Sequence, residues 1–141
     1  QAVRLLAAHY ELPVLNGSAM GPLQKNRSVG KEIWPGPEQL LNLIINASVV
    51  VTNSFHGTVF SIKNHRNFFV LKPKGNLGKR FVRMTELLQY FGLDNRIIDL
   101  NKPLFQQFEM AITQNTDWAY ADQQRHLIRE KSMQFLKKAL S

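Results

Sequence analysis

Short runs of consecutive apolar residues alternate along the chain with segments in which apolar residues recur at every third or fourth position. Consecutive β-branched residues such as Val49, Val50 and Val51 are typical of a strand that is covered on both faces of a parallel sheet. Apolar residues that recur every three or four positions instead indicate a helix with one buried side. The pattern predicts strands at residues 12–15, 49–51, 67–71 and 96–100, and helices at 3–10, 37–45, 57–64, 82–91, 104–112 and about 118–140.

This alternation predicts a single α/β domain over residues 1–141. A chain of 141 residues that is 44% hydrophobic is long enough to bury a core. Strands that alternate with helices form parallel sheets with helices on both faces, so the expected fold is a three-layer, Rossmann-like parallel sheet. Ligands of such sheets bind beyond the carboxyl ends of the strands, which makes the turn after residue 51 the expected ligand site. The buried side of the last helix is predicted to consist of Leu127, Ile128, Phe135, Leu136 and Ala139.

Composition limits where this domain can work. No run approaches the roughly 18 apolar residues that cross a bilayer, and the first ten residues lack the order of a signal peptide. The chain has no cysteine, so it has neither disulfides nor a thiolate metal site, which agrees with a cytoplasmic setting. Its first residue is Gln1 rather than Met, so we expect a fragment of a longer protein. The four histidines have no paired spacing, and no metal site is predicted.

The positive charge of the chain is concentrated in one segment. The formal net charge is +8, and residues 39–85 contain no acid. The basic residues of this segment are Lys63, Arg66, Lys72, Lys74, Lys79, Arg80 and Arg83. Lys72 and Lys74 follow a predicted strand and Arg80 lies just before the next predicted helix, so we expect all three to bind an anion at the ligand edge of the sheet. Arg83, one turn further on, is interpreted as a surface residue.

A polar cluster separates the predicted strand at 49–51 from the helix that follows it. Gly57 would let the backbone approach an anion closely, and the free amide groups of the first helical turn favour a phosphate or a carboxylate. Ser54 and Thr58 add hydroxyl donors. His56 adds a side chain that gains or loses a proton near neutral pH. These residue types predict an anion-binding turn that contains an acid–base group.

The sequence VVVTNSFHGTVFSI at residues 49–62 is surrounded by further distinctive segments. It follows GPEQLLNLIINA and precedes NFFVL, then KRFVRMTELLQYFGLDNRI and the terminal SMQFLKKAL. Over about residues 34–140 this order resembles the C-terminal half of the polysaccharide pyruvyl transferase family. Arg80 and Arg96 lie where the family places an arginine, whereas residues before about Gly30 match weakly. Some members have an arginine where this chain has Ser54, so a guanidinium is missing from that position.

The resemblance implies a fold, a reaction and partners. The fold would be similar to the two-domain GT-B glycosyltransferases, with this chain as the C-terminal, donor-binding domain and with the N-terminal half absent. The enzyme would transfer pyruvate from phosphoenolpyruvate, its donor substrate, to a sugar of a cell-surface polysaccharide or exopolysaccharide as a ketal, without a cofactor. The acceptor would be a saccharide or a lipid-linked glycan. The enzyme would work in the cytoplasm, at the inner face of the membrane, in peripheral contact with membrane-bound glycan assembly.

Ketal formation requires a proton at the methylene carbon of the donor, and this requirement selects His56 as the catalytic residue. Two roles stay open for it, a general acid and a hydrogen-bond donor to the phosphate. The donor carries a phosphate and a carboxylate together, so several cations or amides are needed to hold it. The expected substrate-binding residues are Ser54, Gly57, Thr58, Lys72, Lys74 and Arg80. The isolated domain is expected to be inactive.

Two other functions fit part of the pattern, beside a third, non-enzymatic option in which this half is a regulatory or scaffold remnant. One is the half of a GT-B glycosyltransferase that binds a nucleotide-sugar, which would need an acidic residue for the ribose, and residues 39–85 contain none. The other is a non-catalytic basic module that binds nucleic acid or anionic lipid. Nucleic acid is disfavoured because the cations are not interleaved with exposed aromatic residues, and Phe68 and Phe69 are predicted to lie in the core.

The other histidines and two further aromatic residues are not expected to take part in catalysis. His9, His65 and His126 are predicted to have surface or packing roles. Trp34 either stacks on a sugar or pins its loop to the core. Phe55 is predicted to pack inward.

Overall fold

The computed structural model describes residues 1–17, 29–75 and 81–140. The strands in these ranges are β1 (Leu15–Gly17), β2 (Lys31–Ile33), β3 (Val49–Thr52), β4 (Asn67–Lys72) and β5 (Ile97–Asp99). The α-helices are α1 (Ala2–Tyr10), α2 (Pro37–Asn46), α3 (Phe55–Lys63), α4 (Val82–Tyr90), α5 (Leu104–Thr113) and α6 (Trp118–Leu140). A short 3-10 helix, Asp94–Arg96, leads directly into β5. Strands therefore alternate with helices from α2 to α5, as the sequence predicts.

β3, β4 and β5 form a parallel sheet in that order. Thr52 at the end of β3 pairs with Val70, and Lys72 at the end of β4 pairs with Asp99 on β5. β1 and β2 form a separate two-stranded parallel sheet. Because the three strands of the larger sheet run in one direction, their carboxyl ends meet at the same edge.

Both faces of the three-stranded sheet are covered by helices. Side chains of β4 point alternately to the two faces. Phe68 and Val70 pack with α3, α4 and α6, whereas Phe69 packs with α1 and α5. All three side chains are at most 1% exposed, and burial of each contributes about 1.5–3 kcal/mol relative to an exposed position. The chain is therefore an α/β protein with a layered, parallel arrangement that is consistent with a Rossmann-like fold.

The three valines of β3 contact both sides of the sheet. Val49 and Val51 pack against the core beneath α1 and α5, and Val50 packs against the core on the opposite face. The prediction of a strand covered on both faces is confirmed. Each valine is only partly buried, because β3 is an edge strand of the sheet.

The segment before α2 differs from the prediction. The strand predicted at residues 12–15 is observed as β1, at Leu15–Gly17, and β2 lies in a stretch for which the sequence predicts neither a strand nor a helix. β2 contains Lys31 and Glu32 and has no apolar run, so hydrophobic periodicity could not detect it. Backbone hydrogen bonding holds it in place, with the Lys31 N–H donating to the Val14 carbonyl oxygen at 2.9 Å.

Helix α6 has the predicted bounds but not the predicted burial. Ala121 near its start is buried, and Trp118 packs against the core. The apolar residues of its second half are exposed: Leu127, Ile128, Phe135, Leu136 and Ala139. The predicted buried side is therefore wrong, because a helix of 23 residues is about 35 Å long and extends past strands that span about 20 Å or less. Neither α6 nor any other described helix combines the length and apolar character needed to cross a membrane.

Candidate functional site

The turn between β3 and α3 lies at the carboxyl edge of the three-stranded sheet. Only Asn53 and Ser54 connect the strand to the helix, and Ser54 is the N-cap residue with extended backbone angles. The helix was expected to begin at Gly57, but it begins at Phe55 because the cap is two residues earlier. His56 therefore lies in the first turn of α3, among the amide groups that a helix N-terminus leaves free.

Three hydroxyl groups stabilise this turn. Thr52 Oγ1 accepts a hydrogen bond from the Ser54 backbone N–H at 3.0 Å. Ser54 Oγ accepts a hydrogen bond from the Gly57 N–H at 3.4 Å and so caps the helix. Thr58 is fully buried, and its Oγ1 donates to the Ser54 carbonyl oxygen at 3.0 Å. Each hydroxyl thus contacts the backbone of the turn itself.

Gly57 is required because Thr52 lies directly beside it. A Cβ atom at position 57 would be 2.6 Å from Thr52 Oγ1 and 3.3 Å from Thr52 Cβ. The Gly57 carbonyl oxygen accepts a hydrogen bond from Ser61 Oγ at 2.8 Å inside the buried part of α3. The absence of a side chain therefore lets the helix begin against the end of the strand.

These contacts give Ser54, Gly57 and Thr58 structural roles, and their predicted contacts with a substrate stay predictions. The backbone N–H groups of Phe55 and His56 have no acceptor within the described ranges. Free amides at the start of a helix, with the helix dipole behind them, favour an anion. The turn can therefore offer an anion two backbone donors.

His56 is an exposed side chain of this turn. Its ring meets that of Phe55 edge-on, with centroids 6.4 Å apart. Neither ring nitrogen makes a hydrogen bond or an ion pair within the part of the chain that the structure describes. Both nitrogens are therefore accessible to a ligand, and the catalytic role of His56 stays a prediction.

The three predicted anion ligands differ in their surroundings. Lys72 Nζ donates to Asp99 Oδ2 at 3.0 Å, so its charge is matched by a carboxylate. Lys74 is exposed and has no hydrogen-bonding or ionic partner within the described ranges. Arg80 lies outside the described residues. Of Lys72 and Lys74, the two lysines that the structure describes at this edge, Lys74 can thus meet a ligand without losing a partner.

Asp99 is an acid at the carboxyl edge that the sequence analysis did not consider. Its Oδ1 accepts hydrogen bonds from the backbone N–H and the side-chain amide of Asn101, at 2.9 and 2.8 Å. Burial alone would raise the pKa of Asp99, but the hydrogen bonds from Asn101 and Lys72 outweigh it and lower the pKa to about 2. Its place at the end of a predicted strand was the signal that could have identified it.

The first turns of α3 and α4 meet through an aromatic contact. Arg83 of α4 lies over the ring of Phe55, with Cζ 5.4 Å from the ring centroid. Phe55 is 37% exposed, so the prediction that it packs inward is wrong, because the buried side of α3 begins only at Gly57. Arg83 is exposed as predicted, but its neighbour at this edge was not foreseen.

Arg96 lies at the opposite, amino edge of the sheet. It is 3% exposed, and its guanidinium donates to the carbonyl oxygens of Ala111 at 3.3 Å and Gln114 at 2.7 Å, and to Thr116 Oγ1. Burial lowers the pKa of Arg96, with a smaller opposing effect from Tyr10. Because these carbonyls belong to the C-terminal end of α5, Arg96 stabilises a helix end and is not part of the candidate site.

The other histidines have the surface or packing roles predicted for them. His65 stacks on Trp118 with ring centroids 5.0 Å apart. His126 pairs with Glu130 on the exposed surface of α6 at 3.2 Å, and His9 is exposed on α1. Within the described ranges, His, Asp and Glu side chains form no group of three or more that could hold a metal ion.

Trp34 follows β2 directly and is 56% exposed. A tryptophan that pins a loop to the core would be buried, so that interpretation is wrong for this residue. The exposed ring is compatible with the other interpretation, in which Trp34 stacks on a sugar, and that interpretation stays a prediction.

The parallel sheet and the capped turn at its carboxyl edge define an α/β protein with a candidate anion site. A family model described as polysaccharide pyruvyl transferase matches residues 3–75, just over half of the chain. The chain therefore belongs to the polysaccharide pyruvyl transferase family. The matched range includes the turn with His56, but it begins earlier and ends earlier than the expected 34–140. No curated protein and no solved structure matched the chain.

Proposed function

We propose that this chain is the donor-binding part of a pyruvyl transferase that moves pyruvate from phosphoenolpyruvate to a sugar of a cell-surface polysaccharide or exopolysaccharide. Family membership supports the class of reaction. The observation that carries the choice of site is His56, whose exposed imidazole stands in a helix N-terminus with free backbone amides at the carboxyl edge of the sheet.

The reaction needs a proton, a cationic intermediate and a leaving phosphate. A proton adds to the methylene carbon of phosphoenolpyruvate, and one sugar hydroxyl attacks the neighbouring carbon. A second hydroxyl of the same sugar then displaces the phosphate, which leaves with its bonding electron pair, and both hydroxyl protons are released. His56 either donates the first proton or donates a hydrogen bond to the phosphate, since an imidazole can do both near neutral pH.

Positive charge at the turn would stabilise the phosphate as it leaves. The free N–H groups of Phe55 and His56 supply two donors. Lys74 supplies an accessible ammonium group, and Lys72 would bind the donor only by sharing its charge with Asp99. Arg80 is proposed as a further ligand on the grounds of its sequence position alone.

The acceptor and the second half of the enzyme complete this proposal. We assign the acceptor to a saccharide or lipid-linked glycan that meets an N-terminal domain, in a two-domain enzyme similar to GT-B glycosyltransferases. Phosphoenolpyruvate is a cytoplasmic metabolite, so the reaction belongs in the cytoplasm, at the inner face of the membrane beside glycan assembly. The reaction as written requires no cofactor.

A second function is favoured by one observation. A domain that binds a nucleotide-sugar needs a carboxylate near the carboxyl edge to bind the ribose hydroxyls, and Asp99 stands there in its ionised form. Both of its oxygens already accept hydrogen bonds from Lys72 and Asn101. A ribose would have to compete with these partners, which ranks this function second.

Calorimetric titration separates the two functions. We expect phosphoenolpyruvate to bind the chain, with binding weakened in His56→Ala and unchanged in the matched control His126→Ala, whose imidazole is exposed on α6. Binding of a nucleoside diphosphate sugar that depends on Asp99, without binding of phosphoenolpyruvate, would support the second function instead. In the protein that contains the N-terminal half, the first function also predicts acceptor-dependent phosphate release and a ketal detectable by mass spectrometry.

A further inference from the structure

Arg83 carries a positive charge that no acid neutralises. All of the Asp and Glu residues lie inside the described ranges, and none forms an ion pair with Arg83. Glu86, the acid nearest to it along the chain, lies on α4 but is not within ion-pair distance. The charge of this guanidinium is therefore not matched by any Asp or Glu side chain, and it is available to an anionic ligand.

The contact with Phe55 holds this guanidinium at the turn. Cζ of Arg83 is 5.4 Å from the centroid of the Phe55 ring, and the same ring is 6.4 Å from the ring of His56. Phe55 thus has the imidazole on one side and the guanidinium near its face. A cation–π contact at an exposed site restricts the arginine without using any of its five N–H donors in a conventional hydrogen bond.

The N–H donors of Arg83 lie near the carboxyl edge of the sheet, where a ligand is expected to bind. Phe55 is the first residue of α3, and Arg83 is the second residue of α4. Their contact brings the two helix N-termini together, and each favours negative charge. A guanidinium can bind a carboxylate or a phosphate through two parallel hydrogen bonds, which a lysine cannot do.

We propose that Arg83 is a donor-binding residue that grips the carboxylate or phosphate of the substrate, and that Phe55 is the positioning residue that holds it there. The nature of the ligand rests on the proposed function, whereas the placement of Arg83 rests on its contact with Phe55 alone. This assignment gives the exposed Phe55 side chain a reason to be at the edge of the sheet instead of in the core.

The test compares four variants by calorimetric titration with phosphoenolpyruvate and, separately, with inorganic phosphate. Loss of charge-assisted hydrogen bonds predicts about tenfold to hundredfold weaker phosphoenolpyruvate binding in Arg83→Ala. Arg83→Lys keeps the charge but cannot form the two parallel hydrogen bonds, and we expect it to retain only part of the affinity. Arg129→Ala removes an exposed arginine from α6 and is the matched control, with affinity within about twofold of wild type.

The positioning role of Phe55 is tested by asking whether the effect of a Phe55 substitution on binding depends on Arg83. Phe55→Leu removes the π face but keeps an apolar side chain, and we expect about twofold to fivefold weaker binding. In the double variant with Arg83→Ala, the change at position 55 should have no further effect, because it acts through the guanidinium. Additive losses would mean that Phe55 does not position Arg83.

The outcomes separate this inference from the proposed function. If wild type binds phosphoenolpyruvate and His56→Ala weakens binding while Arg83→Ala does not, the role of Arg83 is overturned and the function stands. If phosphoenolpyruvate does not bind but inorganic phosphate does, in an Arg83-dependent way, the function fails and Arg83 stands as an anion ligand. If wild type binds neither compound, the assignment of Arg83 is overturned as well.

Discussion

The ammonium group of Lys72 lies 3.0 Å from the carboxylate of Asp99, across the adjacent strands β4 and β5. The pKa of Asp99 is lowered from 3.8 to about 2 in the folded protein. A lowered folded pKa stabilises the fold above the unfolded pKa, and this contribution is lost as the pH falls through the folded value. The free energy of unfolding should therefore decrease between about pH 4 and pH 2.

Urea denaturation across this pH range tests the contribution of Asp99. Asp99→Asn cannot titrate, so its stability should fall less steeply than that of wild type between pH 4 and pH 2. Asp94→Asn, which removes an exposed acid from the 3-10 helix, is the matched control and should keep the wild-type slope. Equal slopes for Asp99→Asn and wild type would show that the contacts of the Asp99 carboxylate with Asn101 and Lys72 do not stabilise the fold.

Gly57→Ala should destabilise the fold because the new methyl group would meet Thr52 at 2.6 Å. Thr52 would have to rotate and release the Ser54 N–H, and overpacking of this kind costs about 1–3 kcal/mol. Thermal denaturation measures the loss. Thr52→Ala removes the clashing hydroxyl, so the cost of Gly57→Ala should shrink in the double variant, whereas simple additivity would contradict the proposed clash.

Arg96→Met should be among the more damaging single changes outside the apolar core. It leaves the Ala111 carbonyl oxygen without its donor in a buried setting and the Gln114 carbonyl oxygen without its donor in a partly buried one. A buried acceptor left unsatisfied costs about 1–3 kcal/mol. The loss of stability should appear in chemical denaturation. Binding of phosphate and phosphoenolpyruvate should be unchanged at a temperature at which the variant is folded. Impaired ligand binding in the folded variant would place Arg96 in the site after all.

In the protein that contains the N-terminal half, His56→Ala should remove ketal formation while the fold stays intact. The imidazole is exposed and supports no hydrogen bond of the described structure, so the free energy of unfolding should change by no more than about 0.5 kcal/mol. Phosphate release from phosphoenolpyruvate in the presence of acceptor measures the activity, and circular dichroism measures the fold. Turnover at the wild-type rate would exclude His56 from the chemistry.

The sequence contained enough to locate the turn but not its neighbours. Three consecutive valines followed by Ser54, His56 and Gly57 define a strand end and a capped helix through local chemistry alone. The pairing of Lys72 with Asp99 joins residues 27 positions apart and depends on the register of two strands. Local patterns carry no information about register, so this contact could not be predicted.

The same limit explains the errors in burial. Phe55 and the apolar residues of the second half of α6 are hydrophobic, and hydrophobic character alone predicts that they lie in the core. Whether a helical residue is buried depends on how far the sheet extends beneath it, which is a property of the assembled layers. The bounds of α6 follow from its own composition and were predicted correctly.

The hydrogen bonds among Thr52, Ser54 and Thr58 have a consequence for affinity. They fix the backbone of the turn before any ligand arrives, so a ligand would not have to order the loop that receives it. The entropic penalty of association would then fall mainly on the exposed side chains of His56 and Lys74. A turn that is preorganised in this way can bind a small metabolite with few contacts.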